Sequence, residues 1–334
     1  MELLQATMSY NETLQENITH KVKLPKKEDL KKAQLRISKF INRTPVLTSS
    51  TLNNKLKCKV FFKCENFQKM GAFKMRGASN SLLKMKKDEL KKGVATHSSG
   101  NFAQAVALSS KMSGIKAYIV MPTNAPTVKK NSTIGYSANV IDCPPTLKDR
   151  EETLQKVIDQ TGASAMHPYN DMDVIEGNST AAMELLEDYP DLDAIFAPVG
   201  GGGLISGTCL AAKFFSNAKV YGAEPEGADD AYRSFQKGEI IPMVNPQTIA
   251  DGLRTSLGEI GFEIMKTHLD SIFTVSESEI ISAMKWMWQK MKIIIEPSSA
   301  VPLAALIKNN ELFKDQQVGI IISGGNVDLD NLPF

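Results

Sequence analysis

Short runs of apolar, β-branched residues alternate along this chain with stretches whose apolar positions recur every three or four residues. The runs cover 60–64, 94–98, 117–121, 140–143, 194–199, 220–223, 272–275 and 318–323, and each reads as a strand. Helical spacing appears over 101–112, 147–160, 180–186, 204–215 and 279–292. It also appears over 26–41, where Leu30, Ala33, Leu35, Ile37 and Phe40 follow Pro25. Strands alternating with helices predict an α/β fold built on parallel sheets wrapped by helices. The block from Gly93 to Tyr169 holds four strand–helix alternations by itself. It predicts a small domain (89–170) inserted into a large one (1–88 and 171–334). The first two dozen residues lack apolar periodicity and read as a loose extension.

Composition narrows the class. The 334 residues are 42% hydrophobic and 23% charged, enough apolar surface for a continuous core. A formal charge of +2 removes the electrostatic footprint of a nucleic-acid binder. The lysine-rich stretch 84–92 is mixed with Asp88 and Glu89 and reads as a solvated helix face. No apolar run reaches membrane-spanning length, and the polar start is unlike a signal peptide, so a cytoplasmic protein is expected. Cys58, Cys64, Cys143 and Cys209 lack metal-binding or disulfide spacing and are expected reduced. Asn17-Ile18-Thr19 and Asn178-Ser179-Thr180 match the glycosylation pattern by chance.

Four segments carry chemistry. Gly200, Gly201, Gly202 and Gly203 follow a strand and precede a helix, where bare backbone N–H groups and the helix dipole suit a phosphate. Neither a dinucleotide fingerprint nor a Walker lysine accompanies them. Lys74 stands among small and apolar residues in Gly71-Ala72-Phe73-Lys74-Met75-Arg76-Gly77-Ala78, where desolvation favours its neutral amine. A phosphate loop with such a lysine suggests pyridoxal phosphate. The segment Ser98-Ser99-Gly100-Asn101-Phe102 ends a strand and opens a helix, offering hydroxyl and N–H groups to a carboxylate. Ser323-Gly324-Gly325-Asn326 again leaves a strand into glycines, where open α/β sheets place ligands.

Together these segments resemble the fold-type II pyridoxal-phosphate enzymes (tryptophan synthase β-like, with two open, twisted, mostly parallel sheets). The resemblance is greatest to the branch of serine racemases, serine/threonine dehydratases and hydroxyaspartate ammonia-lyases. It runs from Thr44-Pro45-Val46-Leu47 through Phe62-Lys63-Cys64-Glu65-Asn66 to the final Ser-Gly-Gly-Asn. The resemblance implies that Lys74 carries the cofactor, Phe73 packs by its ring and Asn101 bonds the ring hydroxyl. Gly200 to Gly203 with Leu204 would hold the phosphate, and Ser323 would face the pyridine nitrogen. A hydroxyl there makes the ring a weaker electron sink than a carboxylate does, restraining transamination and leaving α-proton removal and β-elimination. Ser99 matches the second-face acid/base of racemases, where many strict threonine dehydratases carry alanine. Ser98, Ser99, Asn101, Phe102, Arg150 and Thr255, with Ser256 beside it, are the implied substrate contacts.

The same resemblance implies a divalent cation, Mg²⁺, Ca²⁺ or Mn²⁺, on Glu224, the Ala228 carbonyl and Asp230. It extends to an effector nucleotide such as ATP at Ser49, Ser50, Thr51, Lys69, Gln104, Tyr136, Lys292 and Asn326, in a homodimer. Two departures stand out. Phe102 replaces a common histidine, and Val174-Ile175-Glu176-Gly177-Asn178-Ser179-Thr180 replaces the branch's Ile-Ala-Gly-Gln-Gly-Thr. The expected activity is a serine/threonine ammonia-lyase with serine racemisation. The alternatives are a hydroxyaspartate ammonia-lyase, using Arg150 for the extra carboxylate, and a silent ligand-binding homologue. His97 is expected to be a core histidine, and Trp286 and Trp288 to pack a helix.

Overall fold

Val318 to Ile322 are all buried, and a strand without a polar face needs neighbours on both sides and layers on both faces. In the computed structural model, which describes residues 23–125 and 127–334, this strand lies inside a six-stranded sheet. The strands are β1 (Val46–Thr48), β2 (Lys59–Cys64), β3 (Val94–His97), β4 (Ala117–Pro122) and β5 (Asn139–Cys143). They continue as β6 (Ser164–Ala165), β7 (Ala194–Pro198), β8 (Lys219–Pro225), β9 (Ser271–Val275) and β10 (Gln317–Ile322). The large sheet has the order β1-β2-β10-β7-β8-β9 and a second, four-stranded sheet the order β5-β4-β3-β6. Among the described strands only β1 pairs antiparallel, with β2; every other pairing is parallel.

All eight predicted strands are present. The pattern missed β1 and β6, which have three and two residues and are too short to show a period. The expected helix at 180–186 is the end of a longer one, Met172–Asp188, whose residues Val174 to Leu186 are all buried. Its polar residues hid it; the two hydroxyls are satisfied within the helix, Ser179 Oγ donating to the Glu176 carbonyl at 2.6 Å and Thr180 Oγ1 to Gly177 at 2.7 Å. The Asn178-Ser179-Thr180 match is therefore buried and closed to glycan addition. The helix Lys27–Ile37 ends four residues before the expected boundary at Ile41, and Glu277–Trp286 passes into a π turn at Met287–Met291. Trp288 packs there and donates Nε1 to the Ile295 carbonyl at 3.1 Å. The loose extension and Asn17 to Thr19 lie outside the described residues.

Lys84 departs from the solvated reading: the helix Lys74–Lys84 ends on it, and its ammonium pairs with Glu176 at 2.9 Å and with Asp173. Two residues after Lys74, Arg76 is fully buried and donates Nε to Glu65 at 2.7 Å and Nη1 to Glu184 at 2.8 Å, and Lys63 donates to Glu184 at 2.7 Å. Burial opposes the guanidinium charge, but Glu65 and Glu184 outweigh it and hold its pKa above the ordinary value. This network fastens the start of the Lys74 helix to β2 and to Met172–Asp188. All four cysteines are free and buried. No described helix is long and apolar enough to cross a membrane.

Candidate active site

The carboxyl ends of β3, β7 and β10 converge on one cleft of about 560 Å³, the place where parallel sheets present loops to ligands. Lys74 reaches it from β2 through two 3-10 turns, Glu65–Phe67 and Lys69–Gly71. Met70 and Gly71 carry φ of 55° and 77°, which turns the chain sharply. That turn is stitched to the end of β10: Phe73 N–H donates to the Ser323 carbonyl and Gly325 N–H to the Gly71 carbonyl, both at 2.9 Å. Lys74 Nζ donates to the Pro168 carbonyl at 2.8 Å and lies 5.1 Å from the Phe73 ring and 5.6 Å from the Phe102 ring. Burial lowers its pKa from 10.5 to about 8, with Glu296 opposing the shift. Phe102, the departure from histidine, thus adds an apolar wall to the lysine's surroundings.

The tetraglycine leaves β7 and caps the helix Gly203–Phe215 with Gly202 at φ 90°. Side chains do not fit here. A Cβ on Gly201 would fall 2.3 Å from the Tyr169 ring, and one on Gly202 would fall 2.8 Å from Leu257. Backbone N–H groups at the first turn of a helix therefore line the cleft. Ser323 is buried, lines the cleft and shares a 2.9 Å hydrogen bond with Ser299 Oγ. Asn101 opens the helix Asn101–Ser113, with its Nδ2 on Glu296 at 2.9 and 3.1 Å and its Oδ1 accepting from Asn326 at 2.9 Å. Ser98, Ser99, Phe102, Leu204, Thr255 and Ser256 line the same cleft.

Arg150 reaches the cleft from the helix Leu147–Thr161; its Nη2 donates to the Pro145 carbonyl at 3.1 Å, and its buried Nε has no partner among the described residues. His97 lines the cleft instead of the core expected of it, and burial followed by Arg150 lowers its pKa. Several lining residues were not anticipated. Glu296 is buried and its carboxyl is raised to about 7 by burial, against the pull of Lys129. Lys129 pairs with Asp251 across the cleft. His167 is lowered to about 4 by burial and by His97. Tyr169 accepts from Thr255 Oγ1 at 2.9 Å. The Glu-Pro-Ser-Ser at the start of the helix Pro297–Lys308 and the His-Pro-Tyr after β6 are the only sequence signals that point to them.

Glu224 ends β8 in full burial, accepting from Tyr232 N–H at 2.7 Å and Ala231 N–H at 3.3 Å. Burial, and Asp230 after it, push its carboxyl well above the ordinary range. Asp230 accepts from Leu257 N–H at 2.8 Å while its buried Oδ1 lacks a partner among the described residues. Two buried carboxylates with an orphaned oxygen suit a hard divalent cation. The described residues hold no cluster of three or more acidic, His or Cys side chains, so carbonyls such as Ala228's and water would complete it. The eight residues matched to a nucleotide do not line the cleft. Ser49 caps the helix Ser50–Leu56, Lys69 donates to the Lys39 carbonyl and Gln104 is buried with Nε2 unpartnered among the described residues. Asn326 is spent on Asn101 and the Met70 carbonyl.

A lysine with a depressed pKa, a helix-capping glycine cradle and a strand-end serine around one cleft are groups that fit pyridoxal phosphate. Residues 37–324 match the family described as Pyridoxal-phosphate dependent enzyme, and the chain belongs to it. It is 51% identical to a serine racemase from Dictyostelium discoideum, covering 91% of this chain and 96% of that protein. It is 48% identical to a beta-hydroxyaspartate dehydratase from Paracoccus denitrificans, covering 93% and 99%. The crystal structure of the T.th. threonine deaminase superposes with a TM-score of 0.87 at 40% identity, covering 91% of this chain and 99% of that one. The chain is a pyridoxal-phosphate-dependent enzyme of the lyase and racemase branch.

Proposed function

We propose that the protein removes ammonia from a small β-hydroxy amino acid, L-serine or L-threonine, and also racemises serine. The observation carrying this reading is that Lys74 and Ser99, two groups able to hold a proton, line one cleft with Asn101 and the glycine cradle. When bound, pyridoxal phosphate supplies the electron sink for loss of the α-proton. Lys74, whose amine is half neutral at its lowered pKa of about 8, takes that proton at Nζ. Ser98 and Ser99 with the N–H groups of the Asn101 helix receive the substrate carboxylate. Ser99 Oγ returns a proton in the racemising direction. Ser323 would face the pyridine nitrogen, and Asn101 would meet the ring hydroxyl. A divalent cation held by Glu224 and Asp230 would order the adjoining segment, since Asp230 anchors Leu257, two residues from Thr255.

Incubation with pyridoxal phosphate, Mg²⁺ and L-serine in heavy water, followed by proton NMR, tests this. Pyruvate without deuterium in the remaining serine indicates a committed lyase with Ser99 as a binding group. Loss of the α-proton signal from intact serine indicates racemisation. The absence of both changes refutes the assignment.

The free, buried Nε of Arg150 favours a second reading, L-threo-3-hydroxyaspartate as substrate. Arg150→Ala then lowers hydroxyaspartate turnover far more than serine turnover; equal losses exclude it.

A further inference from the structure

The altered segment Glu176-Gly177-Asn178 lies between the two anchors of the cofactor. On one side Glu176 pairs with Lys84 at 2.9 Å, at the far end of the helix that begins at Lys74. Gly177 brings the backbones into contact: a Cβ there would fall 2.5 Å from the Arg76 carbonyl oxygen and 2.8 Å from Gly77 Cα. On the other side Asn178, fully buried, donates Nδ2 to the Gly203 carbonyl at 3.3 Å, at the junction of the glycine cradle and its helix. The Asn178 Oδ1 faces Gly77, where an added Cβ would fall only 2.6 Å away, and has no hydrogen-bond partner among the described residues. The amide therefore acts through one donated bond and through its packing on Gly77.

We propose that Asn178 is a positioning residue for the cofactor: it spans from Gly77 to Gly203 and sets the separation between Lys74 and the phosphate cradle. The inference rests on the pyridoxal-phosphate reading of the cleft. A ligand that engages both anchors depends on their separation; one that engages only the lysine does not. Pyridoxal phosphate and pyridoxal, which lacks the phosphate, differ in this respect; because the free hydroxymethyl of pyridoxal also closes on its aldehyde as a hemiacetal, each aldehyde is compared between variant and wild type and not with the other.

The test strips the full-length protein of cofactor and titrates each aldehyde by absorbance, with thermal denaturation in parallel. In Asn178→Ala the affinity for pyridoxal phosphate falls about five- to tenfold, the worth of one buried hydrogen bond, while that for pyridoxal stays within about twofold. Asn178→Gln keeps the donor but lengthens the span by a methylene, so it also lowers pyridoxal-phosphate affinity while sparing pyridoxal; Asn178→Leu keeps the approximate volume, loses the donor without burying a charge and serves if the alanine variant does not fold. Unchanged pyridoxal-phosphate affinity in the variants lacking the donor overturns the proposal. So does an equal loss for both aldehydes accompanied by a lower Tm, which marks a purely structural residue. Wild-type protein that takes up no pyridoxal phosphate overturns the cofactor reading itself.

Discussion

Lys74 Nζ and the Pro168 carbonyl are joined by a 2.8 Å hydrogen bond that links the helix leaving the six-stranded sheet's β2 to the loop after β6 of the other sheet. The donor must leave that carbonyl as a neutral amine before it attacks an aldehyde. Its pKa of about 8, lowered chiefly by burial, makes that form abundant at mildly alkaline pH. The rate at which cofactor-free protein turns yellow on mixing with pyridoxal phosphate is expected to rise with pH and level off above about 8. A rate still climbing near the ordinary lysine value of 10.5 would contradict it. Stability carries the same sign. Between those two values the unfolded chain holds the proton that the folded chain has released, so the cofactor-free protein gains stability as pH rises through the window.

Glu296 raises the Lys74 pKa against the effect of burial. Glu296→Gln keeps an acceptor for Asn101 but removes the charge, and it is expected to move the midpoint of that rate profile to lower pH. The profile of the variant, measured beside the wild type, checks the direction.

Arg76→Ala strands Glu65 in the interior and leaves Glu184 with Lys63 alone. Breaking a buried ion pair from one side costs about 3–5 kcal/mol, and denaturant unfolding of the cofactor-free protein reads it directly. Arg76→Lys is expected to recover only part, because an ammonium cannot fork to both carboxylates.

Gly202→Ala puts a side chain on a backbone at φ 90° and against Leu257. The loop must shift, and cofactor affinity is expected to fall at least about tenfold, with about 1–2 kcal/mol of strain in the fold. Equilibrium titration with pyridoxal phosphate measures the first and denaturant unfolding the second.

Chelation separates the two carboxylates from an ordinary acidic turn. EDTA is expected to lower the Tm of the wild type, and Mg²⁺ to restore it, because a cation bound only by the folded state stabilises it. Asp230→Asn is expected to abolish the response. A chelator-insensitive wild type argues against a cation there.

Much of this architecture was legible because buried parallel strands are written as unbroken apolar runs, as in 318–322, and because glycine clusters mark strand ends. The glycine cradle, Asn101 and Ser323 sit just beyond such ends, and Lys74 follows Gly71 at the start of a helix. The helix Lys74–Lys84 is absent from the apolar pattern because Ser79, Asn80 and Ser81 occupy buried positions of it. Glu296 and Lys129 were hidden differently. Glu296 meets Asn101 from 195 positions away, and Lys129 meets Asp251 from 122. Nothing local marks a buried charge whose partner is supplied by another layer of the fold.

The Lys129–Asp251 pair has a bearing on traffic through the cleft. Lys129 rides on the helix Thr127–Gly135 beside the four-stranded sheet, and Asp251 belongs to the 3-10 turn Asp251–Leu253 beside the six-stranded one. Lys129 is 5% exposed while the Asp251 side chain is 32% exposed, so only the carboxylate half of the pair is already in contact with water. Drawing the two walls apart would leave the ammonium without its counter-charge, so the pair acts as an electrostatic latch that favours the shut arrangement.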